Sequence, residues 1–136
     1  LFSIFEFLGL MGKEAIVAGL GSSAFVAFCM PKNYTAKARN LIGSHLLSAL
    51  IGIGFSSLLA QHSLNGVLYF FLVASAVSVS TFAMILTRTE HPPAAGTALG
   101  FALGEGSWIS FAFIVIATVV LAFMKRTLSD RLIDLI

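Results

Sequence analysis

One run of an otherwise apolar chain gathers guanidinium, carboxylate, imidazole and two consecutive prolines: Arg88-Thr89-Glu90-His91-Pro92-Pro93-Ala94-Ala95-Gly96-Thr97-Ala98-Leu99-Gly100. A helix arriving here must stop before Pro92, and a proline costs nothing in the first turn of the next helix, so a new helix is expected to start at this point. Gly96, Gly100 and Gly104 then recur every fourth residue on one face, which reads as a surface for close helix packing rather than for conduction. The N-terminal end of such a helix presents unpaired N–H groups and the positive end of the helix dipole beside His91 and Thr97, the chemistry of an anion site. A second candidate set comprises Gly21, Ser22 and Ser23 at the start of another short helix, together with His45, a turn inside a longer one. Glu14 and Glu90 are read as facing one cavity as a proton-linked pair. Arg88 either lines the site or reaches for headgroups. His62 falls in a turn and reads as solvated.

These groups need elements to hold them. Hydrophobic residues make up 58% of the 136 and charged residues 10%, and mean hydropathy is +0.99. A water-soluble domain of this size would lack the polar surface it needs, so the chain is a polytopic membrane protein bound to a lipid bilayer. The apolar runs lack the alternation of barrel strands, which leaves an all-α bundle as the way to satisfy the backbone in lipid. The single Cys29 permits no internal disulfide and no thiol pair for a metal.

Taken in order, the single domain reads as a partial helix over 1–10, interrupted at Lys13-Glu14, and a short helix over 15–30. Spans follow over 41–60 and 66–86, then a short helix over 94–104, a span over 107–123 and an amphipathic tail over 125–136. The 31–39 loop carries Lys32, Lys37 and Arg39 without an acidic residue and reads as cytoplasmic. The tail, with Lys125, Arg126 and Arg131, falls on the same side provided the 94–104 piece reaches the far side. Ala15, Gly19, Ser23 and Ala27, and Ser44, Ser48, Gly52 and Ser56, form two further small-residue faces. Each half then runs helix, acidic break, short helix, long span, the order an inverted transporter repeat with two short or interrupted helices would give. The glycine stripes point to a homo-oligomer.

Two stretches carry a resemblance. Gly21-Ser22-Ser23-Ala24 through Pro31, continuing into Arg39-Asn40-Leu41-Ile42-Gly43-Ser44-His45-Leu46-Leu47-Ser48-Ala49-Leu50-Ile51-Gly52, and then His91-Pro92-Pro93-Ala94-Ala95-Gly96-Thr97-Ala98-Leu99, resemble the HPP family of small integral membrane proteins. The resemblance implies a four-spanning protein, mainly bacterial or plastid, in a family for which nitrite transport has been proposed. It points to a bacterial inner membrane, with a plastid membrane as the alternative. The chain departs from the family pattern with Ala36-Lys37-Ala38 where a Gln-Pro pair often precedes Arg-Asn, and with Glu90 where a neutral residue is common. A carboxylate beside an anion site repels the anion unless it is protonated or paired with Arg88.

Three function classes compete. A transporter or channel for a small inorganic anion such as nitrite would hold its cargo near the midplane. Its site would be His91, Pro92, Pro93, Gly96, Thr97, Gly21, Ser22, Ser23 and His45, with Glu14, Glu90 and Arg88 in charge or proton coupling. A metal-ion transporter or metal-dependent membrane enzyme would join His45, His91, Glu14 and Glu90 instead. An assembly or sensor subunit would use only the small-residue faces. The transporter is the reading adopted, with no enzymatic activity, cofactor, resident metal or nucleic-acid partner expected, since Gly19-Leu20-Gly21 lacks the strand and lysine of a phosphate loop.

Overall fold

A computed structural model describes residues 4–61 and 66–135, which form an all-α bundle. Helices α1 (Ile4–Cys29), α2 (Ala38–Ala60), α3 (Gly66–Thr87) and α5 (Trp108–Leu128) are each long and apolar enough to cross a membrane. The short α4 (Ala94–Gly100), extended by a wider turn over Phe101–Glu105, packs against α1, α2 and α3. His62, in the turn expected between α2 and α3, lies outside the described residues, as do residues 1–3 of the first segment.

The expected break at Lys13-Glu14 is absent. Both residues are good helix formers, both are exposed, and a charged pair costs a helix nothing in backbone geometry, so α1 runs through them until it ends before Pro31. The partial helix and the 15–30 helix are therefore one element, and the inverted repeat loses its first interrupted helix. The last span also runs five residues past 123, to Leu128.

α2 and α4 run from the basic side and α1, α3 and α5 run toward it. Side chains fix this sense: Arg39 at the head of α2 bonds the Thr87 carbonyl at the foot of α3, Lys125 near the end of α5 bonds the Ala36 carbonyl, and Gly106 packs on Ser56 near the end of α2. The short piece thus reaches the far side. The tail returns to the 30–37 loop, where Leu135 N–H donates to the Cys29 carbonyl at 3.0 Å and Asp134 accepts from Lys32 N–H at 3.0 Å.

Burial is inside-out relative to a soluble protein. The buried residues of α2 are Asn40, Leu41, Ser44, His45, Ser48, Ala49, Gly52 and Leu59, while Val67, Phe71, Phe82 and Ile116 project outward. With lipid outside, apolar side chains need no core, and the interior goes to small residues that let backbones approach. A Cβ added to Gly52 would stand 2.5 Å from Phe101 Cβ and 2.8 Å from the Ala98 carbonyl oxygen. At Gly100 it would stand 2.5 Å from the Gly12 carbonyl oxygen, and at Gly19 2.9 Å from that of Pro93. Gly96 likewise backs onto the Ala15 carbonyl, where a Cβ would stand 3.0 Å from that oxygen. Gly104 differs: its φ of 123° turns the chain at the end of α4.

Gly52→Leu should therefore destabilise the protein by at least about 1–3 kcal/mol through overpacking, read as a lowered melting temperature in detergent. Gly21→Ala, where the added Cβ meets nothing within 4 Å, should change stability by less than about 0.5 kcal/mol.

Candidate functional site

The site is built around the break between α3 and α4. α3 ends in a Schellman motif, with Arg88 at φ 54° in the left-handed position, Thr89 N–H on the Met84 carbonyl at 2.9 Å and Arg88 N–H on the Ile85 carbonyl at 3.1 Å. The carbonyls freed beyond it are taken by side chains from the 34–40 segment. Arg39 Nη2 bonds that of Thr87 at 3.0 Å, Tyr34 Oη that of Arg88 at 3.0 Å, and Asn40 Nδ2 that of Glu90 at 3.1 Å. Arg88 itself is exposed and contributes backbone, not side chain. The 34–40 and 87–90 segments are thereby locked together, and the next residue, His91, is carried inward.

His91 is fully buried, as are His45, Ser23 and Thr97. The four form one row. His91 Nδ1 meets the Thr35 carbonyl at 2.8 Å and its Nε2 meets Ser23 Oγ at 2.9 Å. Ser23 Oγ also lies 2.8 Å from His45 Nε2 and 2.8 Å from the Gly19 carbonyl, and His45 Nδ1 lies 2.7 Å from Thr97 Oγ1. The two imidazole centroids are 5.5 Å apart, with planes tilted by 54°. A carbonyl oxygen only accepts, so His91 carries a hydrogen on Nδ1. Burial pushes the His91 imidazole below its ordinary range, while its bond to the Thr35 carbonyl acts the other way.

Of the residues singled out in the sequence, the fold thus brings together His91, His45, Ser23 and Thr97. Others lie outside that row. Gly21 and Ser22 are exposed on the outer face of α1. Ser22, Pro92 and Pro93 line a cavity of about 590 Å³ there, with Phe25, Val26, Met30, Asn33 and Thr35. Glu14 is exposed and nine residues from Ser23 along α1, about 13 Å at helical rise. Glu90 instead stands beside His91 and Asn40 at the basic-side end, so neither the proton-linked carboxylate pair nor the four-residue metal set forms. Among the described residues, no cluster of three or more His, Cys, Asp or Glu could hold a metal. Glu90 lines a second cavity, of about 160 Å³, with Thr81, Met84, Ile85, His91, Pro92 and Ala95. Its Oε2 is buried without a hydrogen-bond partner.

The expected pair of helix N-termini is overturned. Gly21–Ser23 lie in mid-helix, where each amide is committed to the preceding turn. At the start of α4, Pro92 and Pro93 have no N–H, and the amides of Ala94, Ala95 and Gly96 already bond the carbonyls of His91, Pro92 and Pro93 at 2.9, 3.1 and 3.1 Å. Polar chemistry here resides in side chains. The row lies about 9 Å from the basic-side end of α1, six residues at helical rise. Sequence reasoning missed Asn40, Tyr34 and Thr35, whose roles depend on contacts across 50 to 56 positions. Only the polar Asn40 at the head of an apolar span signals its part.

The model of the HPP transmembrane region matches residues 2–132. The chain belongs to the HPP family. Two transmembrane proteins of Dictyostelium discoideum are similar to it: one is 35% identical over 104 residues, the other 31% identical over 107. Each match covers 76% of this chain but only 35% and 33% of the respective relative, so the chain spans about a third of their length. No solved structure matches. With its four apolar crossings, this HPP protein is an integral multi-pass membrane protein.

A buried neutral imidazole sets an acid limit on stability. Unfolded, His91 protonates near its ordinary value of 6.5, and folded it protonates lower. The unfolded chain therefore binds more protons once the pH falls below about 6.5, and stability is full above that value and declines through the folded value. Melting temperature against pH should fall on acidification in the wild type and fall less in His91→Gln.

Proposed function

We propose that the protein is a transporter or channel for a small monovalent anion of the nitrite class, with His91, Ser23, His45 and Thr97 as the polar centre of its pathway. The observation that carries this reading is the fully buried, hydrogen-bonded row of two imidazoles and two hydroxyls inside the bundle. Ionisable groups at this depth in a membrane protein are costly and are rarely kept without a task. Each member of the row carries a hydrogen that it gives to another member or to a nearby carbonyl, and that it would have to turn toward an anion in place of the anion's hydration shell. His91 adds access: it lines the cavity of about 160 Å³, and its neighbour Pro92 lines both that cavity and the larger one on the outer face. Glu90 works against anions, because its unpartnered carboxyl oxygen stands beside the same cavity and Arg88 does not pair with it. The row binds, and nothing in this reading asks it to make or break a covalent bond.

Nitrite flux into proteoliposomes tests the reading. Thr97→Val should reduce flux several-fold and His91→Ala at least tenfold, whereas flux unchanged by both would remove the row from the pathway. Glu90→Gln should raise flux by relieving repulsion.

A further inference from the structure

The hydrogens of the buried row do not add up when both imidazoles are neutral. The row makes five close polar contacts: His91 with the Thr35 carbonyl, His91 with Ser23, Ser23 with the Gly19 carbonyl, Ser23 with His45, and His45 with Thr97. Neutral His91, Ser23, His45 and Thr97 supply one hydrogen each, one fewer than the contacts. The shortage has a fixed place. The Thr35 carbonyl claims the Nδ1 hydrogen of His91, leaving Nε2 bare. Ser23 must then serve both that nitrogen and the Gly19 carbonyl with a single hydrogen.

We propose that the row is a binding site for one proton, taken up at His91 Nε2, and that this proton is the ion coupled to cargo movement. With Nε2–H in place, His91 donates to Ser23, Ser23 donates to the Gly19 carbonyl, His45 Nε2–H donates to Ser23 and Thr97 donates to His45 Nδ1. Every contact then holds one hydrogen. Ser23 Oγ accepts twice and donates once, which is its full capacity. A second proton has no such place: it would have to sit on His45 Nδ1 and displace the Thr97 hydrogen, making a second cation with ring centroids 5.5 Å apart in an apolar surround. Burial, which disfavours the charged ring, opposes this completed set of bonds, so the site can both load and release. The elements around the row carry other titratable groups: Lys13, Glu14 and Cys29 on α1, Lys32, Tyr34 and Lys37 in the loop, Arg39 at the head of α2, Arg88 and Glu90 in the break, and Lys125 and Arg126 on α5. Arg39 bonds the Thr87 carbonyl, Tyr34 that of Arg88 and Lys125 that of Ala36, while Glu90 lines the cavity that His91 also lines. The coupling role rests on the transport reading above; the proton site does not.

The test is a ¹⁵N NMR titration of histidine-labelled protein in nanodiscs, carrying His62→Gln so that only the two buried imidazoles report. On acidification His91 should become an imidazolium while His45 stays neutral with its hydrogen on Nε2, one proton in all. Ser23→Ala removes the acceptor for Nε2–H and should lower the midpoint by about one pH unit, a tenfold loss of proton affinity; Ser23→Thr, which keeps the hydroxyl, should titrate as the wild type. Two imidazolium signals, a His45 hydrogen on Nδ1, no protonation before unfolding, or a wild-type midpoint in Ser23→Ala would each overturn the proposal. Should Ser23→Ala fail to fold, the wild-type tautomers and proton count still decide. Titration as described without nitrite flux would sink the transport reading alone, and flux without the one-proton step would sink the proton site alone.

Discussion

Backbone-to-backbone contact of α4 with α1 and α2 is the constraint on which the rest of this structure depends. A seven-residue helix has too few internal hydrogen bonds to hold itself. α4 persists because Gly19 and Gly96 on one side, and Gly52 on the other, let it lie against α1 and α2 with no side chain between. That seating decides the site. Thr97 reaches His45 and His91 reaches Ser23 only because the main chains are this close, and a methyl group at the contact would push the row apart.

The second requirement is electrical. The turn that ends α3 leaves carbonyls beyond the reach of the helical hydrogen-bond ladder. Arg39, Tyr34 and Asn40 take up those of Thr87, Arg88 and Glu90, so the break in the α3–α4 run is rigidly tied to the 34–40 segment. His91 inherits that rigidity, with its ring held from both sides by the Thr35 carbonyl and Ser23. The unpartnered Glu90 oxygen stands out against this background, because every other buried side-chain polar atom of the described residues finds a partner.

The same economy shapes the remaining interior. Ser48 and Ser80 share a hydrogen bond at 2.7 Å where α2 meets α3, and Ala27, Leu41 and Ala122 close the bundle where α1, α2 and α5 meet. Small residues and paired hydroxyls replace the large apolar core of a soluble protein, whose counterpart here faces outward as Phe71, Phe82, Ile109 and Phe123.

The amino-acid sequence by itself determined the membrane class, the all-α fold, the break at Pro92-Pro93, the small-residue faces and the family, because hydropathy, proline and glycine act locally and leave marks at fixed spacing. It also pointed to His91, His45, Ser23 and Thr97, since polar groups stand out in an apolar chain. It misled at Lys13-Glu14, where charge was read as a break although only backbone geometry ends a helix, and at Gly21 and Ser22, whose facing depends on how α1 is rotated. Only the tertiary structure decided that the imidazoles share one serine, that α4 offers no free amides, and that Asn40, Tyr34 and Thr35 hold the break. Each of these is a contact between residues 22 to 68 positions apart, or a bond that uses up a group which composition alone leaves available.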